Sequence, residues 1–167
     1  MTETDPPPDK STIACGLVTV AMGLFLVLQT SGLLGFDSKS GTEAPAWIGI
    51  CAGLVFVAGG IAVTLQSLPF ARIRPGGDFS DETPTWVRSV VLASALTIVG
   101  GMAAIGGWVA FGPGPRHFYV VGLFIGSDRF DDTLGRAIFG LGAVLTGIAF
   151  IAFAVTGTRL LISRTRR

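Results

Sequence analysis

The sequence predicts an all-α membrane protein, a four-helix transmembrane bundle with short loops. Three observations predict it: half of the 167 residues are hydrophobic, only 14% are charged, and the charges collect between four long apolar stretches. Soluble domains carry about 25% charged residues, and one this apolar would expose large apolar patches to water. We therefore expect the lipid bilayer to surround most of the chain.

Each of the four apolar stretches is long enough to cross a bilayer, whose hydrocarbon core of about 30 Å needs roughly 20 helical residues. None contains Asp, Glu, Lys or His, and Arg159, near the end of the fourth, can extend its charge to the headgroups. The predicted spans are 13–34, 47–68, 87–111 and 137–162.

Residues that favour helix ends flank these spans. Thr83 and Pro84 are typical of an N-cap followed by proline at the first helical position. The Gly-Pro-Gly-Pro sequence at 112–115 cannot continue the third helix. Asp132 stands four residues before Arg136, a favourable ion-pair spacing on a helix. The tryptophans all fall at span ends, as an aromatic belt requires: Trp47, Trp86 and Trp108.

The distribution of basic residues predicts the orientation. With the N-terminus inside, eight of the 12 Lys and Arg residues lie in cytoplasmic segments and four lie outside. This bias favours a protein of the cell (inner) membrane with both termini in the cytoplasm. The acidic, proline-rich residues 1–12 are expected to form a disordered cytoplasmic leader, and residues 163–167 a basic cytoplasmic tail.

Small residues predict how the helices pack. The chain has 24 glycines, and in lipid close backbone approach at small residues is what joins helices. Bundle packing is the preferred interpretation, while a glycine-lined ligand slot and a homodimer contact are the alternatives. The glycines expected at helix contacts are Gly49, Gly53, Gly60, Gly101, Gly140 and Gly147.

Polar residues give little support for chemistry inside the membrane. Gln29 and Gln66 lie near opposite membrane surfaces, and Cys15 and Cys51 are likewise too far apart in depth for a disulfide. The single histidine excludes histidine clusters and triads within one chain. The net charge of +1 does not provide the excess of basic residues that nucleic-acid binding requires. We expect no catalytic residue, no cofactor, no metal site and no enzymatic activity.

The longest segment between spans, 112–136, is too short to fold as a domain. Its apolar part, 117–126, is expected to form a strand or turn at the outer rim of the bundle and to offer a partner contact through Phe118, Tyr119 and Phe124. The predicted function is therefore an interaction or accessory subunit of a membrane assembly, which binds a membrane-protein partner or another copy of itself. The alternative is a small oligomeric transporter or channel, with Ser94, Thr97 and Thr146 as its mid-membrane polar groups.

Overall fold

Each apolar stretch forms one helix in the computed structural model, which describes residues 10–34, 45–68, 83–114, 118–119, 129–130 and 132–165. The helices are α1 (Lys10–Thr30), α2 (Ala46–Gln66), α3 (Thr85–Phe111) and α4 (Asp132–Thr165). All four are long and apolar enough to cross a membrane, with mean hydropathies of 2.0 to 2.4 over their most apolar windows. The predicted fold class, an all-α four-helix transmembrane bundle, is confirmed.

Two short strands lie between α3 and α4. Strand β1 (Phe118–Tyr119) pairs antiparallel with β2 (Arg129–Phe130), and Phe118 stands opposite Phe130. A strand or turn was expected in this segment, and a two-residue pair does not alter the all-α class.

Helix ends differ from the prediction where local geometry outweighs hydropathy. The first span was expected to reach residue 34, but α1 ends at Thr30 and residues 31–34 form a turn. Gly32 adopts a φ of 75° there, a left-handed conformation that terminates helices and that glycine adopts without steric cost. At the other end α1 already includes residues 10–12, which the sequence placed in a disordered leader, whereas residues 1–9 lie outside the described part of the chain.

The last helix is longer than expected at both ends. It begins at Asp132 rather than at residue 137, because a carboxylate is stabilised by the helix dipole in the first turn and Asp132 pairs with Arg136 one turn later. It also continues to Thr165, so residues 163–165 of the predicted tail are helical. At α3, Pro84 occupies the N-cap position and Thr85 is the first helical residue, one position later than expected.

The helices form an open row in chain order. Extensive packing joins α1 with α2, α2 with α3, and α3 with α4. In α2, Gly53 faces α1 whereas Val55 faces α3, and two residues along a helix turn by about 200°. The neighbours of α2 therefore lie on opposite sides of it. Only 6% to 17% of each span is buried within the chain, which leaves wide apolar faces for lipid.

Candidate functional site

The closest helix contact is the α1–α2 seam, defined by Gly16 and Gly23 of α1 and Gly49, Gly53 and Gly60 of α2. Gly16, Gly23, Gly53 and Gly60 are buried. Glycines at seven-residue spacing recur on the same helix face after two turns. In this antiparallel pair, Gly23 therefore meets Gly53 and Gly16 meets Gly60.

Distances across the α1–α2 seam leave no room for side chains. A methyl group at the Cβ position of Gly23 would lie 2.6 Å from the Gly53 carbonyl oxygen, and one at Gly53 would lie 2.7 Å from the Gly23 oxygen. Two turns further along α2, a methyl group at the Cβ position of Gly60 would lie 2.5 Å from the Gly16 carbonyl oxygen. Gly49 lies directly against the Thr30 side chain. Three glycines expected at contacts, Gly49, Gly53 and Gly60, thus face α1.

At the glycines on either side of α3, the nearest atoms of the neighbouring helix belong to side chains rather than to the backbone. Gly101 lies against Val55 of α2, with 2.5 Å from its Cβ position to Val55 Cγ2. Gly140 of α4 lies against Ala110 and Phe111, at 3.4 and 3.3 Å. Gly147 differs from the expectation for it, because no atom lies within 4 Å of its Cβ position apart from its own helix backbone and chain neighbours. Close approach depends on the opposite helix, and at Gly147 that helix leaves open space.

Arg136 connects the end of α3 to the start of α4. Its Nη1 donates a hydrogen bond to the Gly112 carbonyl oxygen at 3.3 Å, and its Nη2 donates one to the Gly114 oxygen at 2.5 Å. Its Nε lies 3.3 Å from Asp132 Oδ2, in the ion pair expected from the sequence. Gly112 is the C-cap of α3 and Gly114 lies two residues beyond it, so the guanidinium ties the chain that leaves α3 to the first turn of α4. We call this cluster the Arg136 clamp.

A groove lies beside the Arg136 clamp, between the last turn of α3 and the first three turns of α4. It has a volume of about 480 Å³ and an almost entirely apolar lining. Thr133 and Arg136 stand at its end nearest the start of α4. The apolar wall is formed by Ala110, Phe111, Ala137, Gly140, Leu141 and Val144. We call it the α3–α4 groove.

Two tryptophans join α2 and α3 at the same end of the bundle as the Arg136 clamp. The rings of Trp47 and Trp108 meet edge to face, with centroids 6.5 Å apart and planes at 88°. Trp86 lies at the other end of α3. The aromatic residues therefore mark both ends of the bundle, as the sequence predicted, although no sequence pattern indicated that two of them are in contact.

Hydroxyl groups within the spans bond to their own helices. Thr97 donates to the Ala93 carbonyl at 2.9 Å, and Thr146 donates to the Gly142 carbonyl at 2.8 Å. Thr64 and Thr158 make the same bond to the residue four positions earlier. These bonds are local, so the hydroxyl hydrogens of Thr97 and Thr146 are each satisfied within their own helix. Ser94 is buried in α3.

Neither cysteine takes part in a disulfide: Cys15 is exposed and Cys51 is partly buried. Gln29 and Gln66 are both exposed, at opposite ends of the bundle. Among the described residues, no group of three or more His, Cys, Asp or Glu side chains could hold a metal ion. Asp128 and Asp131 lie outside that part of the chain.

No family model, curated protein or solved structure matches this chain.

The contacts of the expected partner loop lie outside the described structure. Phe118 and Tyr119 are described only as backbone in β1, and Phe124 falls outside the described residues. The Arg136 clamp was only partly predictable. The i, i+4 spacing indicated its ion pair, but the bonds to Gly112 and Gly114 cross 24 and 22 residues of sequence, and no short-range pattern indicates a contact at that separation.

Proposed function

We propose that this protein is a small, non-enzymatic accessory subunit of a membrane assembly, placed in the cell membrane with both termini in the cytoplasm. The observation that carries the proposal is the open row of helices. Helix α4 packs extensively against α3 alone and ends the row. Helices at the end of such a row offer a long face to a neighbouring transmembrane protein.

The outward face of α4 supports this proposal. It carries large apolar side chains at spacings of three, four, three and seven residues, each between 45% and 63% exposed: Ile138, Leu141, Leu145, Ile148 and Val155. This spacing places the side chains in one stripe along the helix, the pattern used in knobs-into-holes packing between helices. We call these five residues the α4 stripe. Van der Waals packing of this kind is a principal source of helix association in lipid.

The loop residues Phe118, Tyr119 and Phe124 belong to the same proposal as a second contact. Their segment joins α3 to α4 in the sequence, and the α4 stripe begins near the start of α4, so we include both in one partner contact. The basis for including them is the apolar character of the 117–126 sequence.

Purification of the tagged full chain in mild detergent, from cells that naturally express it, tests the proposal. We expect a stoichiometric membrane protein to co-purify, and the double variant Leu145→Ala, Ile148→Ala to lose it. The matched control is Leu17→Ala, Val18→Ala, which removes equally exposed side chains from α1 at the opposite end of the row. A pure monomer, or loss in both double variants alike, would contradict the proposal. A homo-oligomer that conducts ions in liposomes would instead favour the transporter or channel.

A further inference from the structure

One side chain of α4 holds the chain that leaves α3 at two points. Arg136 donates hydrogen bonds to the carbonyl oxygens of Gly112 and Gly114, and both bonds come from the terminal nitrogens of one planar, rigid guanidinium. Its Nε is buried beside Asp132, with which it forms the ion pair. The guanidinium therefore has a fixed orientation, and it fixes the two carbonyl groups relative to the first turn of α4.

The backbone between these two points allows few directions. Gly114 has a φ of 97°, a left-handed conformation that favours glycine, and the prolines at 113 and 115 each restrict φ to about −65°. The helical conformation of α3 ends at Phe111. The Arg136 clamp therefore extends the held part of the chain beyond the helix, to Gly114.

The strand pair β1–β2 lies within a short chain distance of the Arg136 clamp on both sides. Four residue steps lead from Gly114 to Phe118, a reach of at most about 14 Å, and two steps lead from Phe130 to Asp132, a reach of at most about 7 Å. Phe118 and Phe130 are paired. Because an isolated two-stranded pair is only marginally stable in water, a pair of two residues depends on how its ends are held.

We propose that Arg136 is a positioning residue for the partner contact. By holding Gly112 and Gly114 on α4, it stabilises the β1–β2 pair, and this pair places the backbone of Phe118 and Tyr119 where the membrane-protein partner binds. Only the second of these steps rests on the proposed function. Loss of the guanidinium leaves α3 and α4 packed along their lengths, but it releases the chain that leads into β1.

Hydrogen–deuterium exchange of the full chain in detergent tests the first step. We expect Arg136→Gln to accelerate exchange about ten-fold in the peptides that contain β1 and β2, the factor to which one charge-assisted hydrogen bond corresponds. The control is Arg159→Gln, at an exposed arginine near the other end of α4, which should leave this exchange unchanged. Equal exchange in the wild-type chain and Arg136→Gln, or equal acceleration by both substitutions, would overturn the proposal.

Co-purification of the partner tests the second step. Arg136→Gln should retain at least about ten-fold less partner than the wild-type chain does. Gly53→Ala introduces a clash in the α1–α2 seam but does not touch the Arg136 clamp, so it should retain the partner. Loss from both variants alike would show a general effect of stability and overturn the positioning role, as would full retention by Arg136→Gln. If the wild-type chain has no partner, the proposed function fails, whereas the exchange experiment still decides whether Arg136 stabilises β1–β2.

Discussion

Gly23 of α1 and Gly53 of α2 face each other so closely that the backbone of each occupies the space where the other would carry a Cβ atom. The two hypothetical contacts, 2.6 and 2.7 Å to the opposite carbonyl oxygens, are nearly symmetrical. A clash with backbone cannot be relieved by rotating a side chain. Relief requires the helices to separate, and separation removes packing along the whole α1–α2 seam.

The first prediction concerns this seam. Gly23→Ala and Gly53→Ala should each lower the free energy of unfolding in detergent by about 3 kcal/mol, the upper part of the range for overpacking a close contact. The controls are Gly142→Ala and Gly147→Ala, where a Cβ meets open space. There we expect a gain of up to about 1 kcal/mol, because alanine is the better helix former. Equal changes at all four positions would mean that close backbone contact at the α1–α2 seam does not govern stability.

The second prediction concerns the Arg136 clamp. Arg136→Gln should destabilise the protein by about 1 to 2 kcal/mol, because the Gly112 and Gly114 carbonyls lose a charged donor. Asp132→Asn removes only the partly exposed ion pair and should cost about 0.5 kcal/mol. Arg159→Gln, an exposed arginine near the other end of α4, serves as control. Thermal unfolding in detergent measures all three, and a loss at Arg136 no larger than at Arg159 would contradict the clamp.

The third prediction concerns the tryptophan pair. A double-mutant cycle with Trp47→Leu and Trp108→Leu should give a coupling free energy of about 0.5 to 1.5 kcal/mol, as edge-to-face aromatic pairs do. The same cycle with Trp47→Leu and Trp86→Leu should give a coupling near zero, since Trp86 lies at the opposite end of α3. Coupling of the same size in both cycles would show that it does not arise from the ring contact.

The fourth prediction concerns orientation. Reporter fusions after Gly41, Gly77, Gly126 and Arg167 should report outside, inside, outside and inside, because the basic residues favour cytoplasmic termini. The reversed pattern would show that the row is inserted the other way. If the fusions after Gly126 and Arg167 reported the same side of the membrane, α4 would not cross it.

The fifth prediction concerns the hydroxyl groups in the spans. Thr97→Val and Thr146→Val should change stability by no more than about 0.5 kcal/mol, because each hydroxyl bonds only to its own helix. Liposome flux of the reconstituted protein provides a second measurement. If either substitution abolished a conductance, that result would show that the threonine lines a polar pathway, and it would favour the channel interpretation.

The spans were predictable from the sequence because every turn of a helix that crosses the lipid must carry mainly apolar side chains. Their ends were less so: a single left-handed glycine, Gly32, ends α1 early, and Asp132 begins α4 before the apolar residues do. Glycine spacing identified the packing face of α2 through Gly53 and Gly60. It failed at Gly147, because the pattern on one helix contains no information about what stands opposite. The bonds from Arg136 to Gly112 and Gly114 depend on how two helices dock, which the sequence does not encode locally.

A row in which each helix packs mainly on the one before it has a consequence for biogenesis. The helices contact each other in the order in which a ribosome supplies them, so α1 and α2 can close their hairpin before α3 has been made. Contacts between neighbours in sequence have a low entropic cost of loop closure, and chains dominated by such contacts assemble quickly. No helix has to remain unpacked until a partner from a distant part of the sequence has been synthesised. Each new helix packs on the helix that was synthesised immediately before it.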